Sequence, residues 1–481
     1  MIACLGLRRT SPRSLALALF PLLLVVSTAA PAWSQVNVIT ERYDNARTGS
    51  NLNETILNTS NVNVNQFGKL FTQVVDGSLY AQPLYVANVS IPGMGTHNVV
   101  YVATMNDVVY AFDADNNLGA NASALWTVDF RNPAAGVTAI PMADIDGLWN
   151  ESIIGNVGIE GTPYIDLNSN TMYLVVCTLE NNTNYVQRLH ALDITTGAEK
   201  FGGPMTISAS VPGTGAAASN GTLVFDPQIE NQRAALASAN GMIFIAWASY
   251  GDYFSFHGWV MAYDAQTLQQ AGVFCITPNG GDGGIWMSGR APVIDASGNV
   301  YYMTGNGDWN GTTNFGDSFL KFGTGTDTFW LADCFTPDDW ATLGSGDVDL
   351  GASGPMLLPG TNLLVGGGKE SLFYLLTTSS LGHEQTGNGQ VPQLFTAGGG
   401  YIMGGPTYYY RSTGPGPWMY VWTGSHNLIA FHFNGTTFDT NPVSQSTVVG
   451  PSGSQGAGLA VSANGDTPGP RAFIPHPQPS R

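Results

Sequence analysis

The sequence predicts an all-β chain folded as a β-propeller of four-stranded antiparallel blades, and three observations predict it. A strand that ends in an aspartate turn recurs, as Tyr110-Ala111-Phe112-Asp113-Ala114-Asp115, Ala191-Leu192-Asp193-Ile194-Thr195-Thr196-Gly197 and Met261-Ala262-Tyr263-Asp264-Ala265. A proline-headed strand recurs ahead of it, at Pro83, Pro163, Pro292, Pro355 and Pro406. The composition suits short strands and tight turns: 60 Gly in 481 residues and only 10% charged side chains, where helices would draw on more Lys, Glu and Arg.

Taken from the N-terminus, residues 1–35 have the form of a secretory signal. Arg8, Arg9 and Arg13 precede an apolar run from Leu15 to Val26, and Ala30-Pro31-Ala32 supplies a small-residue cleavage site. That run is shorter than the roughly 20 residues a spanning helix needs, so export to the periplasm or medium is expected, with no stable membrane insertion. Residues 36–465 form the propeller domain. After each proline comes a β-branched or aromatic strand, such as Val99-Val100-Tyr101-Val102-Ala103, Met242-Ile243-Phe244-Ile245-Ala246-Trp247 or Val300-Tyr301-Tyr302-Met303. A third strand follows, as in Val108 to Phe112 or Trp259 to Tyr263, then a weaker fourth at Trp126-Thr127-Val128 or Val273-Phe274-Cys275. Asn231 to Leu236 fills one slot without the proline. Four strands per repeat is the pattern of propeller blades.

Six such units and the start of a seventh, Gly456 to Gly465, are visible. The tail 466–481 is rich in proline, which removes ladder donors. It is expected to be disordered and to leave the ring incomplete, with exposed sheet edges.

The net charge of −18 reflects scarce basic residues, and it excludes the positive stripe that a nucleic-acid partner needs. A small anionic ligand or a protein at the channel face remains. Three cysteines follow the signal, Cys177, Cys275 and Cys334, with no C-x-x-C pair. Buried free thiols are expected, and a structural zinc is not.

The Asp-x-x-Thr-Gly turn, the Gly-x-Pro starts and the Tyr-Val-Ala strand together resemble the blades of the pyrroloquinoline quinone (PQQ)-type propeller family. The segment Tyr43-Asp44-Asn45-Ala46-Arg47-Thr48-Gly49-Ser50-Asn51, followed by Phe67-Gly68-Lys69-Leu70-Phe71, is similar to the N-terminal pattern of quinoprotein dehydrogenases. The resemblance implies seven or eight blades, an N-terminal strand completing the last one, and PQQ with calcium as cofactors. It also implies a Trp beneath the quinone ring and a vicinal Cys-Cys disulfide against it. This chain has no adjacent cysteines and no C-x-x-C-H haem site.

Candidate site residues follow from position. Glu160, Arg233 and Arg290 stand just ahead of the inner strands, which line the axis of a propeller. Their guanidiniums suit a carboxylate ligand, although ion pairs between blades would use the same residues. Lys369, after Gly366-Gly367-Gly368, is either a cation for a ligand oxyanion or a solvated hairpin charge. Asp252 is a candidate general base and His257 an acid or metal ligand, or else a loop cap. By resemblance Trp286 is the candidate platform, against a role in covering the core between blades. Asp144 and Asp146, in Asp144-Ile145-Asp146-Gly147, are candidate calcium ligands or a surface turn.

Three functions stay open. The first is an exported PQQ-like propeller of undetermined activity, a scaffold that binds a ligand or protein. The second is a PQQ-dependent dehydrogenase acting on alcohols or sugars. The third is a carbohydrate-binding propeller using Tyr408, Tyr409, Tyr410 and Trp418.

Overall fold

The computed structural model describes residues 36–58, 60–146, 153–410, 416–450, 456–465 and 472–477. The expected signal, 1–35, lies outside them. The chain is a β-propeller. Its first blade is Leu84–Ile91, Gly95–Ala103, Val108–Asp113 and Trp126–Asp129, hydrogen-bonded in sequence order. The second is Tyr164–Asp166, Thr171–Glu180, Asn184–Asp193 and Met205–Thr206, and the third runs from Ala237–Ala239 through Met242–Ser249 and Trp259–Asp264 to Gln270–Cys275. The fourth spans Val293–Ile294 to Thr328–Phe335, the fifth Met356–Leu357 to Gln393–Thr396, and the sixth Thr407–Tyr409 to Ser444–Val449. Among the described residues no helix is long and apolar enough to cross a membrane.

The sequence repeats have a common physical cause. In the second blade Asp193 Oδ1 accepts the Thr195 N–H at 2.8 Å, and the turn closes through Gly197 N–H donating to Asp193 O. Gly197 sits at φ 75°, and a Cβ there would lie 2.7 Å from Val128 and 2.8 Å from Trp126, so only glycine lets the turn dock on the first blade. Trp126 Nε1–H and the Tyr101 hydroxyl both donate to Ile194 O, the residue after the turn aspartate, at 3.0 Å. One blade on, the Tyr173 hydroxyl donates to Ala265 O, the residue after Asp264, at 2.7 Å. The aromatic strand and the aspartate turn are therefore two halves of a latch between neighbouring blades.

The prolines have a second role. The N-terminal segment runs along the inner edges of the blades and hydrogen-bonds to them in order. Tyr85 N–H donates to Val38 O, Ile165 to Ile39 O, Ile294 to Asn45 O, Leu357 to Ala46 O and Tyr408 to Thr48 O, all at 2.8 to 3.0 Å. Each donor is the second residue after its proline. An inner strand is a sheet edge, and its buried N–H groups need partners. The third blade, which lacks the proline, does not bond the segment in this way, and its Leu236 N–H donates instead to Thr162 O of the second blade.

Arg47 anchors the segment. It is fully buried, with Nε–H donating to Pro292 O at 2.8 Å and Nη1 to Thr40 Oγ1, Glu41 O and Asp44 O at 2.8 to 3.0 Å.

The same segment ends as the strand Ser50–Asn51, which pairs in parallel with Ala457–Ser462. An N-terminal strand joined to the last unit is what the family resemblance implied. The tail departs from expectation, because Ala472–Pro477 pairs antiparallel with Ala457–Ser462 despite its prolines. As the last strand of that sheet its outer side needs no ladder donors, and proline is tolerated on such edges. Cys177, Cys275 and Cys334 are buried free thiols, as expected.

Arg47→Met is expected to cost about 3 kcal/mol or more of unfolding free energy, since it strips four carbonyl and hydroxyl acceptors of their charged donor. Urea denaturation checks this, and a loss below about 1 kcal/mol would mean that the segment does not brace the inner edges.

Candidate functional site

The candidates fall in two places. The first is an axial cavity of about 530 Å³, bordered by the lead-in segments of several blades and by the N-terminal segment. Glu160, Arg233 and Arg290 all line it, joined by Glu41 and Arg42. Arg233 Nη1 pairs with Glu160 Oε1 at 2.5 Å, tying the third blade to the second. Burial lifts Glu160 above the ordinary carboxylate range, with Arg233 opposing. The ion pair between blades accounts for Arg233, while Glu160 Oε2 is buried without a partner.

Arg290 is different. It is buried, its Nη2 donates to Arg47 O at 3.1 Å, and its Nε and Nη1 have no hydrogen-bond partner. Burial first, and then the neighbouring charges of Arg42 and Arg47, pull its pKa down to about 9. Arg42, also buried, donates from Nη2 to Pro406 O at 2.8 Å and to Thr407 Oγ1, while its Nε has no partner. The Glu41 carboxylate accepts the Ala291 N–H at 3.1 Å.

The second place gathers Trp286, Lys369 and Asp252, three residues far apart in sequence. Trp286 is half-buried, and its indole lies against backbone that only glycine leaves free. A Cβ on Gly305 would come 2.6 Å from the ring, and one on Gly284 2.7 Å. Phe256 meets it edge-on at 5.7 Å, and Trp286 Nε1–H donates to Ser249 O at 3.2 Å. The Ser249 hydroxyl donates to Asp252 Oδ1 at 2.8 Å. Asp252 itself stands on the exposed rim. Partial desolvation first, then Asp349 and Asp347, raise its carboxyl above the ordinary range.

Lys369 is not the solvated hairpin charge that the glycine run suggested. Its side chain is 8% exposed, and Nζ lies 2.7 Å from Asp347 Oδ1 and 2.6 Å from Asp349 Oδ2. Gly368 allows this, because a side chain there would collide with the carbonyls of Asp349 and Leu350. Burial opposes the ammonium charge, but the two aspartates outweigh it and hold Lys369 above its ordinary 10.5. Asn306 completes the group. Its N–H donates to Asp349 Oδ1 at 2.9 Å and its Nδ2 to Asp347 Oδ1 at 3.2 Å, while its Oδ1 is buried without a partner. Beneath them Asp317 Oδ1 accepts the Leu350 N–H at 3.0 Å, and burial lifts its carboxyl to about 8.

The remaining candidates do not join these groups. Asp144 is exposed on a single helical turn, Ala143–Asp146, and the side chain of Asp146 lies outside the described residues. Among the described residues no set of three or more His, Cys, Asp or Glu is arranged to hold a metal. His257 is a buried loop cap, with Nε2 2.8 Å from Ala216 O and Nδ1 3.0 Å from Thr277 Oγ1, and burial lowers its pKa. Tyr408 and Tyr409 are buried in blade packing, so they offer no face to a sugar.

No family model matches the chain, and no curated protein does. Among solved structures it is similar to a europium-containing methanol dehydrogenase, with a TM-score of 0.54 and 15% identity over 92% of this chain and 78% of that one. It is also similar to the quinohemoprotein alcohol dehydrogenase from Comamonas testosteroni, with a TM-score of 0.44 and 14% identity over 89% and 75%. The likeness is one of fold. At such identities the site residues have to be judged on their own chemistry.

Sequence reasoning did not single out Asp347, Asp349, Asn306, Glu41 or Arg42. The Asp347-Val348-Asp349 pair was a usable signal, being two acids one residue apart in a chain with few charges. Nothing local marked Asn306 or Arg42, whose partners lie in other blades.

The raised Asp317 gives a pH test. Between about pH 4 and pH 8 Asp317 holds a proton in the folded protein that the unfolded chain has released, so its contribution to stability falls as pH rises through that window. Asp317→Asn keeps an acceptor for Leu350 N–H and removes the titration. Its stability relative to wild type should climb across the window and level off above it, measured by urea denaturation at several pH values. A flat difference would show that Asp317 ionises normally in the folded state.

Proposed function

We propose that this protein is an exported quinone-dependent dehydrogenase of propeller type, oxidising an alcohol or a sugar at the Trp286 site. What carries the reading is the convergence there of Trp286, Lys369 and Asp252 with Asp347, Asp349 and Asn306, drawn from three blades and the loops between them.

The residues fit the cofactors the family resemblance implies. The half-buried indole of Trp286 is a flat platform for a quinone ring. Asn306 Oδ1, an unpaired buried acceptor, stands with Asp347 as oxygen donors suited to a hard cation. When bound, a quinone would accept the hydride equivalent that leaves the substrate carbon. The Asp349 carboxylate is the proton acceptor for the substrate hydroxyl, held in place by the Asn306 N–H and Lys369. Lys369 is a positioning residue that offsets the charge of both aspartates. Asp252, exposed at the rim, exchanges the proton with solvent. In this reading the base is Asp349 rather than Asp252, because Asp349 is the buried and fixed carboxylate.

A ligand-binding scaffold without catalysis is the second reading, favoured by the absence of a vicinal cysteine pair to cover the outer side of a quinone. The two are separated by reconstituting the full chain with PQQ and either Ca²⁺ or a lanthanide, following quinone absorbance and dye reduction over an alcohol and sugar panel. Expected are saturable uptake, at least tenfold weaker binding in Trp286→Ala, and a loss of turnover of about 10²-fold or more in Asp349→Asn. Absence of quinone uptake overturns the enzyme reading.

A further inference from the structure

We infer that the axial cavity is a second binding site, distinct from the Trp286 site, and that it takes a small carboxylate anion between Arg42 and Arg290. Neither the aspartate cluster nor the proposed reaction uses it.

The inference rests on donors without acceptors. A buried polar group left unpaired costs free energy, and for a charged group the cost is larger. Arg47, which does not line the cavity, bonds through Nε and Nη1 and leaves Nη2 unpaired, and the partly exposed Arg233 pairs with Glu160. Arg290 leaves Nε and Nη1 unpaired and Arg42 leaves Nε unpaired, although both residues line a cavity large enough for a ligand. Cavities that hold small molecules span about 300–1,000 Å³, and this one, at about 530 Å³, lies inside that range.

Charge points the same way. Three guanidiniums line the cavity against two carboxylates, Glu41 and Glu160, in a chain of net charge −18. Arg233 answers Glu160, and Glu41 is turned to the Ala291 N–H. One positive charge is left over between Arg42 and Arg290. A carboxylate matches it, since its two oxygens can accept from adjacent N–H donors of a guanidinium. Arg42 comes from the N-terminal segment and Arg290 from the start of the fourth blade, so a bound anion would join the segment to the ring.

Calorimetric titration of the full chain with succinate at low ionic strength tests this, with succinamide as the uncharged control. Saturable binding of succinate and none of succinamide is expected. Arg290→Gln and Arg42→Gln should each weaken it at least tenfold, Arg290→Lys should retain part, and Trp286→Ala should leave it unchanged. If the glutamine variants fail to fold, a crystal soaked in 4-bromobenzoate, an unreactive aryl bromide, replaces them, with the carboxylate expected beside Arg42 and Arg290 and the bromine signal within the cavity. The inference is overturned if succinate does not saturate, if a folded Arg290→Gln binds as tightly as wild type, if Trp286→Ala abolishes binding, or if the bromine lies elsewhere.

Discussion

The hydrogen-bond ladder between the N-terminal segment and the inner edges of the blades is the constraint on which the rest depends. A propeller turns one edge strand of each blade toward the axis, where water is scarce and an unpaired N–H is expensive. Here one stretch of chain, from Val38 to Gly49, answers those groups in blade after blade. The recurring proline sets the register, because it has no N–H itself and fixes the donor two residues later. The exception supports the rule: the blade without the proline sends its donor to a neighbouring blade.

Filling the axis in this way divides the functional surface. The segment brings Arg42 and Glu41 to the cavity that Arg290, Arg233 and Glu160 also line. The loops that lead into the inner strands carry Trp286 and Asp349, each only a few residues ahead of the axial positions. The short path from Trp286 to Arg290 links the two places.

Much of the fold was legible because it rests on local chemistry repeated many times. Asp193, Thr195 and Gly197 make a turn that needs no distant partner, and the paired strand Thr171–Glu180 is a near-continuous apolar run, as a strand buried on both faces must be. The candidate site was legible only in part. Trp286 and Lys369 stood out by type and by the glycines beside them, and those glycines are what allow the close approach of ring and backbone. The role of Lys369 did not stand out, since its burial depends on Asp347 and Asp349, more than a full turn of chain away. The strand at Ala472–Pro477 was hidden for the opposite reason: its prolines argue against a central strand but not against an outer one.

What the sequence determined alone was the repeat, and with it the class of fold, because each blade is built from contacts between residues close in the chain. Which charges meet was decided by the tertiary structure. Arg42 and Arg290 lie on opposite sides of three intervening blades in the sequence, Asp252 and Asp349 belong to different blades, and only the packing of the blades around the segment brings each pair into range of the other. Electrostatic interaction between such groups depends on separation and burial, and neither quantity is written in the order of residues.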